Sequence, residues 1–273
     1  MIIRHKGRGK RSFDFILSQY KHKDFVFKLT NYPILKQLGH RAMNSDNTTL
    51  TYIPVYENME LPTGAAAPTS IIEHFIRNAS HRLILSRCPC RSGNDCQDFD
   101  PSFGCTFLGP AVQYVNPEVG RLVSMEEALE HLHQATEAGL VSCVGKFKGD
   151  AIMLGVQRDH HDLMTICHCC PCCCISTSIP LASREARDIL VKMEGLSITV
   201  DEEKCNGCGK CVKACIFKQM ELVNKKAVIG EECKGCGRCA MVCKQEAISI
   251  RIDDPSFIDA CIERISTKVN IGS

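Results

Sequence analysis

Twenty cysteines in 273 residues set the chemical question. Six of them fall within "ICHCCPCCC" (Ile166–Cys174), stiffened by a single proline. Such a density suits a disulfide knot, a metal cage or a reactive dithiol beside a metal. Adjacent and alternate cysteines pair with each other only under strain, which argues against the knot. Disulfide frameworks belong to short secreted chains. The first twenty residues do not read as a secretory leader, because Asp14, Ser18 and Gln19 interrupt their apolar positions. A cytoplasmic location is therefore expected, and dense thiols in a reducing compartment imply metal or redox chemistry.

The strongest pattern lies near the C-terminus. "CNGCGKCVKAC" (Cys205–Cys215) recurs as "CKGCGRCAMVC" (Cys233–Cys243), with all four cysteines and both glycines displaced by 28 residues (205 to 233). Three thiolates this close reach three corners of one cluster only if the loop wraps around it. Gly207, Gly209, Gly235 and Gly237 permit the wrapping through positive φ, and bring backbone N–H groups toward the sulfur. The flanks repeat as well: "SITV" and "MELV" are answered by "AVI" and "AISI", so each half reads strand, cysteine loop, short helix, strand, with "NKK" (Asn224–Lys226) as the turn between halves. Paired zinc knuckles would place two C-x2-C pairs across a longer loop, so iron–sulfur is the reading.

This repeat resembles the bacterial-type ferredoxin that carries two 4Fe–4S clusters. The resemblance implies that the fourth cysteine of each loop ligates the other loop's cluster. One cluster then takes Cys205, Cys208, Cys211 and Cys243, and the second takes Cys233, Cys236, Cys239 and Cys215. Ile216 and Lys244 stand where that family usually has proline.

Ten further cysteines form two clumps: Cys88, Cys90, Cys96 and Cys105, then Cys167, Cys169, Cys170, Cys172, Cys173 and Cys174. The expectation is a metal site drawing on both clumps, with one or two further iron–sulfur clusters. A redox dithiol beside a cluster is the competing reading. "CPC" (Cys88–Cys90) and "CHC" (Cys167–Cys169) resemble motifs of the catalytic subunit of ferredoxin:thioredoxin reductase, but without that family's second C-P-C and tight spacing, so no roles carry over. The order of motifs from about residue 68 to 250 resembles a group of 4Fe–4S-binding proteins of anaerobic bacteria and archaea, which speaks to cofactor and not to reaction. His168 inside the motif is a candidate ligand. His160 and His161 read as a polar turn, and Cys143 and Cys261 as small core fillers.

The surrounding elements give an α+β chain: a C-terminal two-cluster ferredoxin fold with an internal pseudo-twofold repeat, preceded by a larger cysteine-rich α+β domain. The expected divisions are a poorly defined segment 1–67, a cysteine-rich domain 68–195, the ferredoxin domain 196–252 and a helical tail 253–273. "LPTGAAAPTS" (Leu61–Ser70) reads as a linker. Ser70 with Glu73, and Ser124 with Glu127, have capping-box spacing before amphipathic helices. Gly139 suits a left-handed helix end. "LVSCVGKF" and "AIMLGV" (Ala151–Val156) read as two strands around "KGD". That order after a helix matches a winged-helix module, yet Met125–Ala138 carries four glutamates, which argues against nucleic acid. The tail should begin a helix near Asp254–Pro255.

Composition adds limits. The chain is 44% hydrophobic with no Trp and a net charge of +2, so no global charge draws it to an anionic partner. The basic run Arg4–Arg11 reads as a solvated arm. Leu163–Ser183 is long enough to span a bilayer, but Pro171 and Pro180 would break it, and no membrane span is expected. No nucleotide or flavin fingerprint is present. The expected function is electron transfer between the ferredoxin pair, the N-terminal cysteine site and a partner redox protein or oxidoreductase complex. The alternatives are a ferredoxin-fused reductase acting on a disulfide or small acceptor, and a redox-sensing winged-helix regulator.

Overall fold

The computed structural model describes residues 7–32, 46–54 and 59–272. Its frame is a seven-stranded sheet in the order β4-β2-β3-β6-β5-β1-β7. The strands are β1 (Thr48–Ile53), β2 (Arg82–Leu85), β3 (Thr106–Leu108), β4 (Gly120–Leu122), β5 (Val141–Phe147), β6 (Met164–Cys169) and β7 (Leu190–Val191). All neighbours are antiparallel except β1 and β7. Residues 48–53 are thus hydrogen-bonded into the sheet of segment 68–195, alongside β5, and are built with it. Arg4–Lys6 of the basic run lie outside the described residues; Gly7 and Arg8 donate backbone bonds to Tyr114 and Leu154.

Each face of the sheet is covered, as its alternating apolar residues demand. On one face α1 (Lys10–Ser18) presents Phe13 and Leu17 to Leu83, Leu85 and Phe107. The other face receives α3 (Thr69–Asn78) and α5 (Met125–Glu137), where Ile71, Ile72, Phe75 and Ile76 share a core with Ala128 and Leu132. A second N-terminal helix, α2 (Lys23–Leu29), buries Phe27, and the short α4 (Pro89–Gly93) opens with proline at its first turn.

The two capping signals part company. At α5 the box forms: Ser124 Oγ accepts from the Glu127 N–H at 3.1 Å, and the Glu127 carboxylate accepts from the Ser124 N–H at 2.9 Å. We expect Ser124→Ala to lower stability by about 1 kcal/mol in denaturant melts. At α3 the expected box is absent. Pro68 holds the cap position, Ser70 Oγ is buried without a partner, and Glu73 pairs with Arg77 instead. Gly139, at φ +76°, ends the α5 segment as expected.

"AIMLGV" is a helix and not a strand. Residues Lys148–Leu154 form α6, closed by Gly155 in the left-handed region at φ +78°. Ala151, Met153 and Leu154 are buried beneath α1. The wing expected after β5 therefore does not exist there, and the winged-helix reading loses its topology. Leu163–Ser183 is likewise no span: it is β6 followed by a 3-10 segment (Ile175–Leu181), and among the described residues no helix is long and apolar enough to cross a membrane.

The repeat forms two antiparallel pairs. β8 (Leu196–Val200) pairs with β11 (Ile248–Ile252), and β9 (Met220–Val223) with β10 (Lys226–Ile229). Asn224 and Lys225 both have positive φ (50° and 62°), which gives the β9–β10 hairpin the mirror-image turn suited to strand twist. The helices α8 (Lys210–Ala214) and α9 (Arg238–Met241) follow the two cysteine loops, after Gly209 and Gly237 in the left-handed region. A short α7 (Arg184–Arg187) precedes β7, and α10 (Phe257–Ser266) begins after Asp254–Pro255 and packs against α3.

Candidate metal centres

All four loop glycines adopt the positive φ that the wrapping needs, 71° to 79°. A Cβ on Gly207 would collide with the Lys225 carbonyl, so no other residue suits that position. Cys205, Cys208, Cys211 and Cys243 line one cavity, and the Ala227 N–H donates to Cys205 Sγ at 3.4 Å. The fourth cysteine of the second repeat thus stands with the first loop. Reciprocally, Cys215 lies close enough to Cys233, Cys236 and Cys239 to raise the pKa of each beyond the effect of burial. An all-thiolate set with inward backbone donors fits an iron–sulfur cluster at both places.

The two quartets differ in exposure. Cys208 is exposed and Cys205 and Cys243 half-buried, whereas Cys215, Cys236 and Cys239 are buried. The first quartet is outer, and the second faces the N-terminal body.

The ten N-terminal cysteines fall into two adjoining groups. Seven line one cavity, of which Cys88, Cys90, Cys105, Cys167, Cys169 and Cys174 form one group and Cys170 belongs to the other. Sheet register builds much of it. Tyr52 on β1 stands opposite Cys143 on β5, and Cys143 stands opposite Cys167 on β6. Cys105 directly precedes β3, whose Thr106 faces Ile166, so its sulfur meets Cys167 Sγ at 3.5 Å. The Cys88–Pro89–Cys90 turn at the start of α4 and the chain just after β6 supply the rest.

The six sulfurs form a continuous chain. Hydrogen bonds from Cys105 and Cys90 hold the Cys88 thiol well below its usual pKa. Bonds from Cys169 and Cys90 do the same for Cys174. Cys90, Cys105 and Cys169 are pushed up in return. The Tyr52 hydroxyl donates to Cys169 Sγ at 3.2 Å and lies 2.7 Å from Ser176 Oγ. The Ile175 N–H donates to Cys90 Sγ at 3.3 Å. Thiolate-directed donors from Tyr52 and Ile175 are what a bound sulfur-rich cluster requires of its surroundings.

Asp150, on α6, lines the same cavity, and nothing in its sequence context singles it out. Thr165 Oγ1 donates to its carboxylate at 2.9 Å. Burial pushes its pKa up from 3.8 to about 7, and nearby Cys88 and Cys174 push in the same direction. The folded state therefore holds this proton more tightly than the unfolded chain. Its stabilisation is complete below about pH 4 and is lost as pH rises toward 7. A tenfold gain in proton affinity corresponds to about 1.4 kcal/mol, so the decline is on the order of a few kcal/mol. Asp150→Asn should flatten the fall in melting temperature between pH 4 and 7; an unchanged slope would exonerate Asp150.

The other four, Cys96, Cys170, Cys172 and Cys173, have their sulfurs all within 4.8 Å of one another, and Cys170 also reaches the wall of the six-thiol cavity. His168 also lines the six-thiol cavity. Its Nδ1 meets Ser142 Oγ at 3.2 Å, and its ring packs edge-on against His131. Its Nε2 is buried without a partner. His160 and His161 lie on a 3-10 turn, where His161 Nδ1 accepts from Lys146 Nζ at 2.8 Å. Cys143 is buried in the six-thiol cavity wall, and Cys261 is buried on α10.

Both N-terminal groups adjoin the inner quartet. Phe217, two residues beyond Cys215, packs edge-on against Tyr52 with ring centroids 4.9 Å apart. Arg238, next to Cys239, donates to the Gly139 carbonyl, lies over the Phe99 ring at 5.2 Å and sits beside Cys170 and Cys172.

Two models of the 4Fe–4S binding domain match the chain, at residues 197–220 and 227–249. Ferredoxin-2 of Desulfomicrobium norvegicum is 53% identical over 34 residues, which is 12% of this chain and 58% of that ferredoxin. No solved structure matches the chain. The C-terminal part therefore carries tandem 4Fe–4S ferredoxin domains, and these indicate iron–sulfur electron transfer.

Proposed function

We propose that the chain is a one-electron relay between a redox partner and a cluster in the six-thiol cavity. The observation that carries this reading is the packing of the inner quartet against the N-terminal cysteines, through Phe217 and Tyr52 on one side and Arg238 on the other. Cys205, Cys208, Cys211 and Cys243 would hold the outer cluster, and Cys215, Cys233, Cys236 and Cys239 the inner one. Four of the six cavity thiols would hold a third. Bound clusters supply one-electron centres and nothing else is asked of them.

The chain's own residues set the order. Exposed Cys208 puts the outer quartet at the surface, within reach of a docked donor or acceptor protein. Ile216, fully buried, closes the inner quartet from water where proline usually stands. Tyr52 bridges the junction: its ring contacts Phe217 and its hydroxyl contacts Cys169. The sulfurs of Cys88, Cys105, Cys169 and Cys174 are buried, which keeps a protein disulfide from reaching them and favours the relay over a disulfide reductase.

Labile sulfide, counted on the anaerobically isolated full chain, tests this. About twelve per chain is expected for three four-iron clusters; about eight would confine clusters to the ferredoxin domains and end the relay reading.

A further inference from the structure

Cys96, Cys170, Cys172 and Cys173 have a spacing that no cubane shares. A metal at 2.3 Å from four sulfurs in a tetrahedron places those sulfurs about 3.8 Å apart. Cys96 and Cys172 are 3.5 Å apart, and all four sulfurs lie within 4.8 Å of one another. A four-iron cluster interposes its own iron and sulfide and spreads its ligands wider. Among the described residues this is the one set of three or more cysteine, histidine or carboxylate donors so tightly drawn, and neither ferredoxin quartet closes to it.

We propose that these four thiolates bind a single tetrahedral transition-metal ion, zinc or iron, apart from the clusters of the relay. The surroundings fit the charge of such a centre. Four thiolates around a divalent ion leave two negative charges, and two guanidinium groups stand beside them. Arg91 lies between Cys88 of the six-thiol group and Cys170, almost wholly buried, its Nη1 fixed on the His168 carbonyl at 2.8 Å. Arg238 lies near Cys236 of the inner quartet and, on this side, near Cys170 and Cys172. Charge of this density, half of it on buried thiols, is stabilised by such pairing. The Cys173 N–H donates to Cys170 Sγ at 3.4 Å, a backbone bond of the kind that orients thiolate ligands. Ala135, Leu140, Phe99 and Phe103 pack around Cys170, Cys173 and Cys96, while Cys172 lies at the exposed edge.

The ion would act as a clip. It ties the loop carrying Cys96 to the chain after β6, and so fixes Phe99 under Arg238 at the boundary with the inner quartet. A zinc or a ferrous ion serves that purpose equally, because both take four thiolates in a tetrahedron.

The test compares total zinc plus iron with labile sulfide on the full chain, isolated anaerobically. Four-iron clusters contain equal iron and sulfide, whereas a mononuclear site adds metal without sulfide. The expected result is an excess of about one metal ion per chain, either as zinc or as iron with a high-spin mononuclear spectrum. Cys172→Ser, at an exposed thiol, should remove that excess and leave labile sulfide unchanged. Equal metal and sulfide in the unmodified chain would overturn the proposal without any variant. A fall of about four sulfides in Cys172→Ser would overturn it differently, by making the site a cubane. A failure of the relay reading alone, about eight sulfides in total, still leaves the excess ion to be found.

Discussion

Cys243→Ala should strip iron from the first cysteine loop and spare its own. Cys243 lines the cavity of Cys205, Cys208 and Cys211, while the second loop keeps Cys215. The expected loss is about four irons per chain. Pairing variants sharpens the result, because changes at one site are not additive whereas changes at separate sites are. Cys243→Ala combined with Cys205→Ala should lose no more iron than either alone, about four. Cys243→Ala combined with Cys233→Ala should lose about eight, since it strikes both quartets. Iron analysis of the three proteins reads this directly. If the Cys243–Cys233 pair behaved as one site, each loop would keep its own fourth ligand and the crossed assignment would be wrong.

The second large effect lies at Cys90. Its thiol connects Cys88 to Cys174, and so joins the turn before α4 to the chain after β6. Removing it breaks the sulfur chain at its middle. Cys90→Ala should lose about four labile sulfides, with both ferredoxin signals retained. The side chain is small and the surrounding cores are formed by other residues, so melting of the ferredoxin part should be unchanged. Unaltered sulfide in Cys90→Ala, together with alkylation of all six cavity thiols in the unmodified chain, would show that no cluster resides there.

How far the sequence reveals these sites depends on the distance over which each is assembled. The ferredoxin loops place three ligands within seven residues, and their glycines mark the backbone that must wrap. Motif spacing alone therefore exposes them. The six-thiol cavity is different. Tyr52, Cys105, Cys143 and Cys167 come from separate strands, and only the register of β1, β5, β6 and β3 sets them in a row. No local pattern encodes that register, so the ten cysteines could be grouped but not divided. Cys143 shows the same limit: it reads as a core filler in an apolar strand, and it is buried, but against the sulfur cavity.

Short apolar runs mislead for a related reason. Ala151–Val156 is too brief to show a period, and its partner strand is already taken by β1 and β6, so the segment coils over the sheet as α6. The left-handed Gly155 is the legible sign of a helix end. Ser70 and Glu73 have the spacing of a capping box, yet the helix begins at Thr69 and carries Ser70 inside its first turn. Spacing fixes a box only when the serine also stands at the boundary, as Ser124 does.

Low-temperature EPR of the full chain during stepwise anaerobic reduction tests the central claim most directly. If the inner quartet and the six-thiol site are neighbours in one relay, their reduced signals should broaden through mutual spin interaction, and Cys90→Ala should sharpen the inner signal back to that of an isolated ferredoxin pair. Signals unaffected by Cys90→Ala at every stage of reduction would contradict the account.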